Sequence, residues 1–152
     1  MGWKEQFTEF KEYQGLHVSF VGHLDRTKTS IAEKLEAIIH NGYLNSRYKD
    51  FYDIYVLSKK YEFSYEMLRN AVIQTFEHRN TQMTMDSAAF SDEVLNDPMH
   101  QTRWKAFLNK KKALIQVSLP DVMDWIKAFV HPLLDGTKKA RWNPEKGIWE
   151  QQ

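Results

Sequence analysis

A mainly α-helical fold, a bundle of about five helices with one short strand near the N-terminus, is predicted by three observations. Apolar residues recur at helical spacing in several separate stretches, as in Ile31, Leu35, Ile38 and Ile39, and again in Val122, Ile126, Phe129, Val130 and Leu133. Capping residues and stop signals flank those stretches. Only Leu16 to Val21 alternates apolar and polar side chains in the period-2 manner of a half-buried strand.

Taken in order, Trp3, Phe7 and Phe10 stand at i, i+4 and i+7 and predict a helix from Trp3 to Tyr13, broken at Gly15. The strand expected over Leu16–Val21 has no obvious partner, and two-stranded ribbons are marginal by themselves. It therefore belongs to a larger sheet or pairs with a second copy of the chain. Ser30 and Glu33 read as a capping box opening the next helix, which Asn41-Gly42 ends with a left-handed turn. Asn45 or Ser46 is placed to cap a following helix whose stripe is Phe51, Ile54, Tyr55 and Leu57 or Ser58.

Ser64 caps a third helix with Tyr65, Leu68, Val72 and Phe76 on one face, ending at Arg79-Asn80. Short links predict antiparallel packing of these three helices. Thr81 to Phe90 reads as a polar, methionine-containing connector. Asp97-Pro98 starts a helix bearing Trp104, Phe107 and Leu108 and ending in Lys110, Lys111 and Lys112. Ser118 to Asp121 starts the last helix, which Asp135-Gly136 stops. The sequence thus divides into residues 1–29, a helical bundle over 30–134 and an irregular tail over 135–152.

Composition narrows the function classes. The chain has 152 residues, enough for one domain with a real core. An apolar content of 42% argues against wholesale disorder. The formal net charge of +1 supplies no global attraction to nucleic acid or membrane. The absence of cysteine excludes disulfides and thiolate metal sites and suits a reducing cytoplasm. The first residues carry acids too early for a signal peptide, and no apolar run approaches the roughly 20 residues of a membrane span.

The chemistry-bearing residues gather in Ser30–Tyr55, where Lys34, Arg47, Lys49, Asp50 and Asp53 stand among apolar neighbours. Asp50 lies on or beside the buried face of its helix and needs a partner, because burying an unpaired charge is costly. Lys34 and Arg47, the latter one turn away, compete for that role; Lys49 is expected to face solvent. The segments Ala32-Glu33-Lys34-Leu35 and Arg47-Tyr48-Lys49-Asp50-Phe51-Tyr52-Asp53 resemble the C-terminal half of the AbiEii/AbiGii toxin family of nucleotidyltransferases. The likeness runs from about residue 8 to the end.

That resemblance implies a nucleotide site containing Lys34 and Asp50, with Asp53 as the other candidate carboxylate and Arg47 and Lys49 as accompanying binding residues. It implies Mg²⁺ and a nucleoside triphosphate for intact relatives, an antitoxin partner and a cytoplasmic role in phage defence. By the same likeness residues 1–29 are the remnant of a nucleotidyltransferase sheet. Nucleotidyl transfer needs carboxylate-held metal ions and a turn that cradles phosphate. The family carries these in an Asp-x-Asp strand and a Gly-Gly/Gly-Ser segment, and neither pattern occurs among these residues. The expectation is a shortened toxin whose site is incomplete by itself, with no metal or cofactor held by this chain. The rivals are a helical module that binds an antitoxin or self-associates without nucleotide chemistry, and a reduced site of Lys34, Asp50 and Asp53 with a different first half.

The remaining polar residues carry blander readings. His17, His23, His40, His78, His100 and His131 show no metal-ligand spacing and read as surface or satisfied histidines. Ser87 beside Asp86 lacks a nucleophile-elbow context. Lys110 to Lys112 with Lys138, Lys139 and Arg141 read as solvated charges or, by analogy with relatives that act on transfer RNA, as a basic strip beside Trp142. Trp142 and Trp149 are candidate anchors for a partner.

Overall fold

The computed structural model describes residues 20–42, 48–113 and 115–151, without the side chains of residues 20–25. Helix α1 spans Phe20–Asn41 and α2 spans Tyr48–Lys60. Strand β1 is Phe63–Ser64, and α3 is Tyr65–His78. A 3₁₀ turn at Ala88–Phe90 leads into α4, Asp92–Asn96, and α5, Pro98–Lys111. Helix α6 covers Leu119–Asp135, and β2, Arg141–Asn143, and β3, Ile148–Glu150, close the chain. The expected mainly α fold is observed.

Helix α1 packs chiefly on α3 and α2, and α6 closes the other side of α2. Its buried positions are Thr27, Lys28, Ile31, Ala32, Leu35, Glu36 and Ile38. Thr27 and Lys28 are thus polar residues on the inward face of α1, ahead of the apolar stripe that starts at Ile31. Ser30 is consequently interior to α1 and caps nothing, contrary to the expected capping box. Phe20 and Val21, expected at the end of a strand, are helical, so the strand reading fails there. Leu16 to Ser19, the helix expected at Trp3–Tyr13 and the caps expected at Asn45 or Ser46 lie outside the described residues.

Several start and stop signals act as expected. Gly42 stands at φ +69° and donates to the Ile38 carbonyl at 3.0 Å. Ser64, Asp97 and Ser118 each accept from a backbone N–H in the first turn of α3, α5 and α6. Gly136 ends α6 at φ +83°. Helix α4, capped by Ser91, is an addition: five residues are too few for a periodicity signal.

The tail departs most from expectation. Residues 141–150 form a hairpin that joins β1 in an antiparallel sheet of order β1-β2-β3, with Phe63 opposite Trp142 and Trp142 opposite Trp149. Its turn is set by Asn143, whose side-chain oxygen accepts from the N–H groups of Glu145 and Lys146 at 3.0 Å each. In Arg-Trp-Asn and Ile-Trp-Glu only the central residue faces inward. Three-residue strands are too short to declare this alternation in sequence.

Trp142 is fully buried and Trp149 nearly so, which removes both as exposed anchors. Trp149 stacks on Phe129 with centroids 5.7 Å apart. Each buried indole is satisfied: Trp142 donates to the Ser58 carbonyl at 2.7 Å and Trp149 to the Phe129 carbonyl at 2.9 Å.

Two stability tests follow from this core. Gly147 sits at φ +69°, and an added Cβ would lie 2.4 Å from the Trp125 ring. Gly147→Ala is expected to destabilise by about 1–3 kcal/mol in urea unfolding. Gly42→Ala, with the same φ and open space around it, should cost clearly less. Burial pushes the Tyr61 phenol up from 10.0 to about 12. Because the folded value is the higher one, this contribution is complete below pH 10 and is lost as pH rises through 12. Tyr61→Phe should flatten the fall in stability across that interval, read by chemical denaturation at successive pH values.

Candidate functional site

Helix α2 packs beside α1, so Lys34 on one helix faces Asp50 and Asp53 on the other. On α2, Tyr48, Phe51, Ile54, Tyr55 and Ser58 turn inward, and this fixes the rotation of the helix. Asp50 and Asp53 consequently fall at the edge facing α1, where Lys34 emerges between buried Ile31 and Leu35 and Ile38. The Lys34 Nζ lies 3.2 Å from Asp53 Oδ2 and 3.8 Å from Asp50 Oδ1. Their side chains are 23%, 24% and 16% exposed, so water and small solutes reach the cluster.

The structure thus brings together Lys34, Asp50 and Asp53. Lys49 is exposed on α2 as expected. Arg47 lies outside the described residues. Next to Lys34, Glu36 is buried on α1, where its carboxylate meets Arg79 Nη1 at 3.4 Å and accepts from Thr81 Oγ1 at 3.4 Å. These contacts tie α1 to the C-terminal end of α3 and hold the helix that presents Lys34. Sequence reasoning passed over Glu36, because a charged residue inside an apolar stripe looks like its exposed neighbours.

On the other side of α2, the Tyr48 hydroxyl and His100 Nδ1 are 3.1 Å apart, and His100 Nε2 lies 4.0 Å from Asp97. His100 is a satisfied histidine, as expected, and it joins α5 to α2. Tyr52 was also passed over. Its ring meets the Phe107 edge, with Lys111 Nζ 5.1 Å from its centroid. Burial, with the nearby Asp53 charge adding to it, pushes the Tyr52 phenol up. The spacing 49, 52, 53 on one helix was the available signal.

Lys110, Lys111, Lys112, Lys138 and Arg141 are exposed, and Arg141 lies 3.9 Å from Glu62. Burial of Trp142 removes the stacking partner that the basic-strip reading needed.

The Mg²⁺ implied by the resemblance does not fit the donors present. Asp50 and Asp53 already pair with the Lys34 ammonium, at 3.8 Å and 3.2 Å. Among the described residues no group of three or more histidine, aspartate or glutamate side chains could hold a metal.

Asp50 and Asp53 are one turn apart, and their repulsion is relieved by Lys34. Lys34→Ala is expected to destabilise by roughly 0.5–1 kcal/mol at low ionic strength, with the loss shrinking as salt screens the cluster. Urea unfolding in low and high sodium chloride measures it.

No curated protein and no solved structure gives a significant match. No helix among the described residues is long and apolar enough to cross a membrane. Residues 26–128, more than half of the chain and including Lys34, Asp50 and Asp53, match the family described as nucleotidyl transferase AbiEii toxin of a type IV toxin–antitoxin system. The matched region takes in the cluster and all of the helix pair that frames it except the first turn and a half of α1, and the chain belongs to the AbiEii nucleotidyltransferase toxin family.

Proposed function

We propose that the chain is the toxin component of a type IV toxin–antitoxin pair and that the lysine–carboxylate cluster between α1 and α2 handles the phosphates of a nucleotide. The observation that carries this reading is the convergence of Lys34 from α1 on Asp50 and Asp53 from α2, at a place open to solvent. Lys34 serves as the point charge for phosphate. Asp50 orients that lysine or acts on the acceptor hydroxyl, and Asp53 holds the ammonium when no ligand is bound. Such a site works by positioning and charge neutralisation, the principal demands of phosphoryl and nucleotidyl transfer.

The reading extends to an incomplete catalyst. The sequence contains no Asp-x-Asp and no paired glycine or Gly-Ser turn. In this reading the chain supplies the lysine-bearing wall of the cleft, and the metal-bearing wall comes from elsewhere. We place the protein in the cytoplasm, where its cysteine-free composition is at home and nucleoside triphosphates are abundant, with a role in defence against phage. A second reading, a helical module that binds an antitoxin without nucleotide chemistry, draws support from the two carboxylates that already neutralise Lys34.

Calorimetric titration with each nucleoside triphosphate, with and without Mg²⁺, separates the two. Under the nucleotide reading the chain binds triphosphate, Lys34→Ala abolishes the heat, and no labelled nucleotide is transferred to transfer RNA by the chain alone. Absence of triphosphate binding by the parent chain would refute it and leave the interaction module.

A further inference from the structure

Helix α5 and the segment leading into α6 enclose a groove that shares no residue with the Lys34 cluster. Its volume is about 350 Å³, at the lower end of the range typical of ligand sites. Buried Trp104, Leu108 and Leu119 form its inner side, with Val117 and Pro120 beside them. Gln101, Lys105 and Leu108 stand at i, i+4 and i+7, so the groove follows one face of α5 for roughly 10 Å. That length takes about three residues of extended chain. Both walls are fixed in advance. The Trp104 indole donates to the Val117 carbonyl at 2.8 Å, which ties the chain after α5 back onto that helix. Ser118 accepts from the Asp121 N–H at 3.2 Å and starts α6. A preformed apolar groove binds without the cost of ordering itself.

The polar groups around the groove narrow its occupant. Gln101 donates to the Leu95 carbonyl at 2.9 Å and Gln116 to the Ala113 carbonyl at 3.2 Å, so both side-chain amides are held in place. Each keeps its amide oxygen without a partner among the described residues, and such oxygens accept backbone N–H groups. Lys105 is exposed and forms no ion pair among the described residues. None of the nine residues lining the groove is acidic, and residues 98–120 contain five lysines and arginines and no acid. The complement is an aliphatic side chain with carboxylates beside it. A nucleobase would need an open aromatic face to stack on. Trp104, the aromatic residue that lines the groove, is buried with Phe107 stacked on it at 5.7 Å.

We propose that this groove docks a short extended segment of a partner protein, anchored by an aliphatic side chain and flanked by aspartate or glutamate. The anchor lies against Leu108, Val117 and Pro120, a flanking carboxylate pairs with Lys105, and Gln101 and Gln116 hold the segment's backbone. The inference does not rest on the reading of Lys34 as a phosphate-handling residue.

The probe is a library of short random peptides, displayed and selected for binding to the whole chain. The enriched peptide is then synthesised and titrated by calorimetry. Enriched sequences should carry leucine, isoleucine, valine or methionine beside aspartate or glutamate. Lys105→Glu should weaken the enriched peptide by roughly fivefold to twentyfold and turn a fresh selection toward basic flanks. Lys110→Glu makes the same charge change on another face of α5 and should have clearly less effect. Val117→Phe fills the groove and should abolish binding, with folding checked by urea unfolding; should that variant fail to fold, the two lysine variants still decide. Lys34→Ala should leave peptide affinity unchanged, so this inference and the nucleotide reading fail separately. Enriched sequences without acids, or a peptide that binds Lys105→Glu as tightly as the parent chain, overturn the inference. So does a selection that enriches nothing. If a short single-stranded oligonucleotide binds instead and loses affinity in Lys105→Glu, the face belongs to a nucleic acid and the peptide site is refuted.

Discussion

Ser58 is the joint on which the packing of α2 depends. It is fully buried on a helix, and its hydroxyl donates to the Tyr55 carbonyl at 3.0 Å while accepting from Trp125 Nε1 at 2.9 Å. Its carbonyl receives the Trp142 indole at 2.7 Å. One small residue thereby links α2 to α6 and to the C-terminal hairpin. A buried indole N–H without an acceptor is costly, so rotating α2 away from this arrangement would strand two donors at once. The aromatic cluster around it, with Trp125 edge-on to Trp142 and Phe129 edge-on to Trp142, fills the space between helices and sheet. Rotation of α2 is therefore set by hydrogen bonds and packing on one side, and the chemistry follows on the other.

Once Ser58, Tyr55, Ile54 and Phe51 face inward, helical geometry leaves Asp50 and Asp53 no choice but the margin beside α1. The same logic holds for α1, where buried Ile31, Leu35 and Ile38 flank the line along which Lys34 emerges. The cluster is thus a consequence of two apolar stripes meeting, and the ion pairs contribute little to holding the helices together. That division suits a ligand site. A lysine held only by partly exposed carboxylates can exchange them for phosphate oxygens without disturbing the core.

Much of this was legible in the residues, for identifiable reasons. Apolar periodicity and caps such as Ser64, Asp97 and Ser118 declared helices, because those signals are local. The meeting of Lys34 with Asp50 and Asp53 was legible because two amphipathic helices so close in sequence pack as neighbours. The hairpin was not legible, since a three-residue strand gives no period and its tryptophans find acceptors on helices far away in sequence. The start of α1 was misplaced because the buried residues just ahead of Ile31, Thr27 and Lys28, are polar and do not extend the apolar stripe. Ser58 showed the limit most clearly. Its position on the core face was readable, but its role depended on Trp125 and Trp142, residues 67 and 84 positions later.

Charge segregation along the chain gives the fold a direction that net charge conceals. Residues 80–97 carry four acids and no lysine or arginine, and residues 98–120 reverse the pattern with five lysines and arginines and no acid. Their sum nearly cancels in composition, but α5 projects its cations into solvent and spends only Trp104 and Leu108 on full burial. The end of that helix meets α2 at Tyr52, with the Lys111 ammonium 5.1 Å from the ring centroid. A field of one sign at the rim of a cleft raises the local concentration of the opposite ion. The nearly neutral total therefore conceals a local excess of cations on α5, because an approaching ion responds to charges within about a Debye length and not to their sum over the molecule.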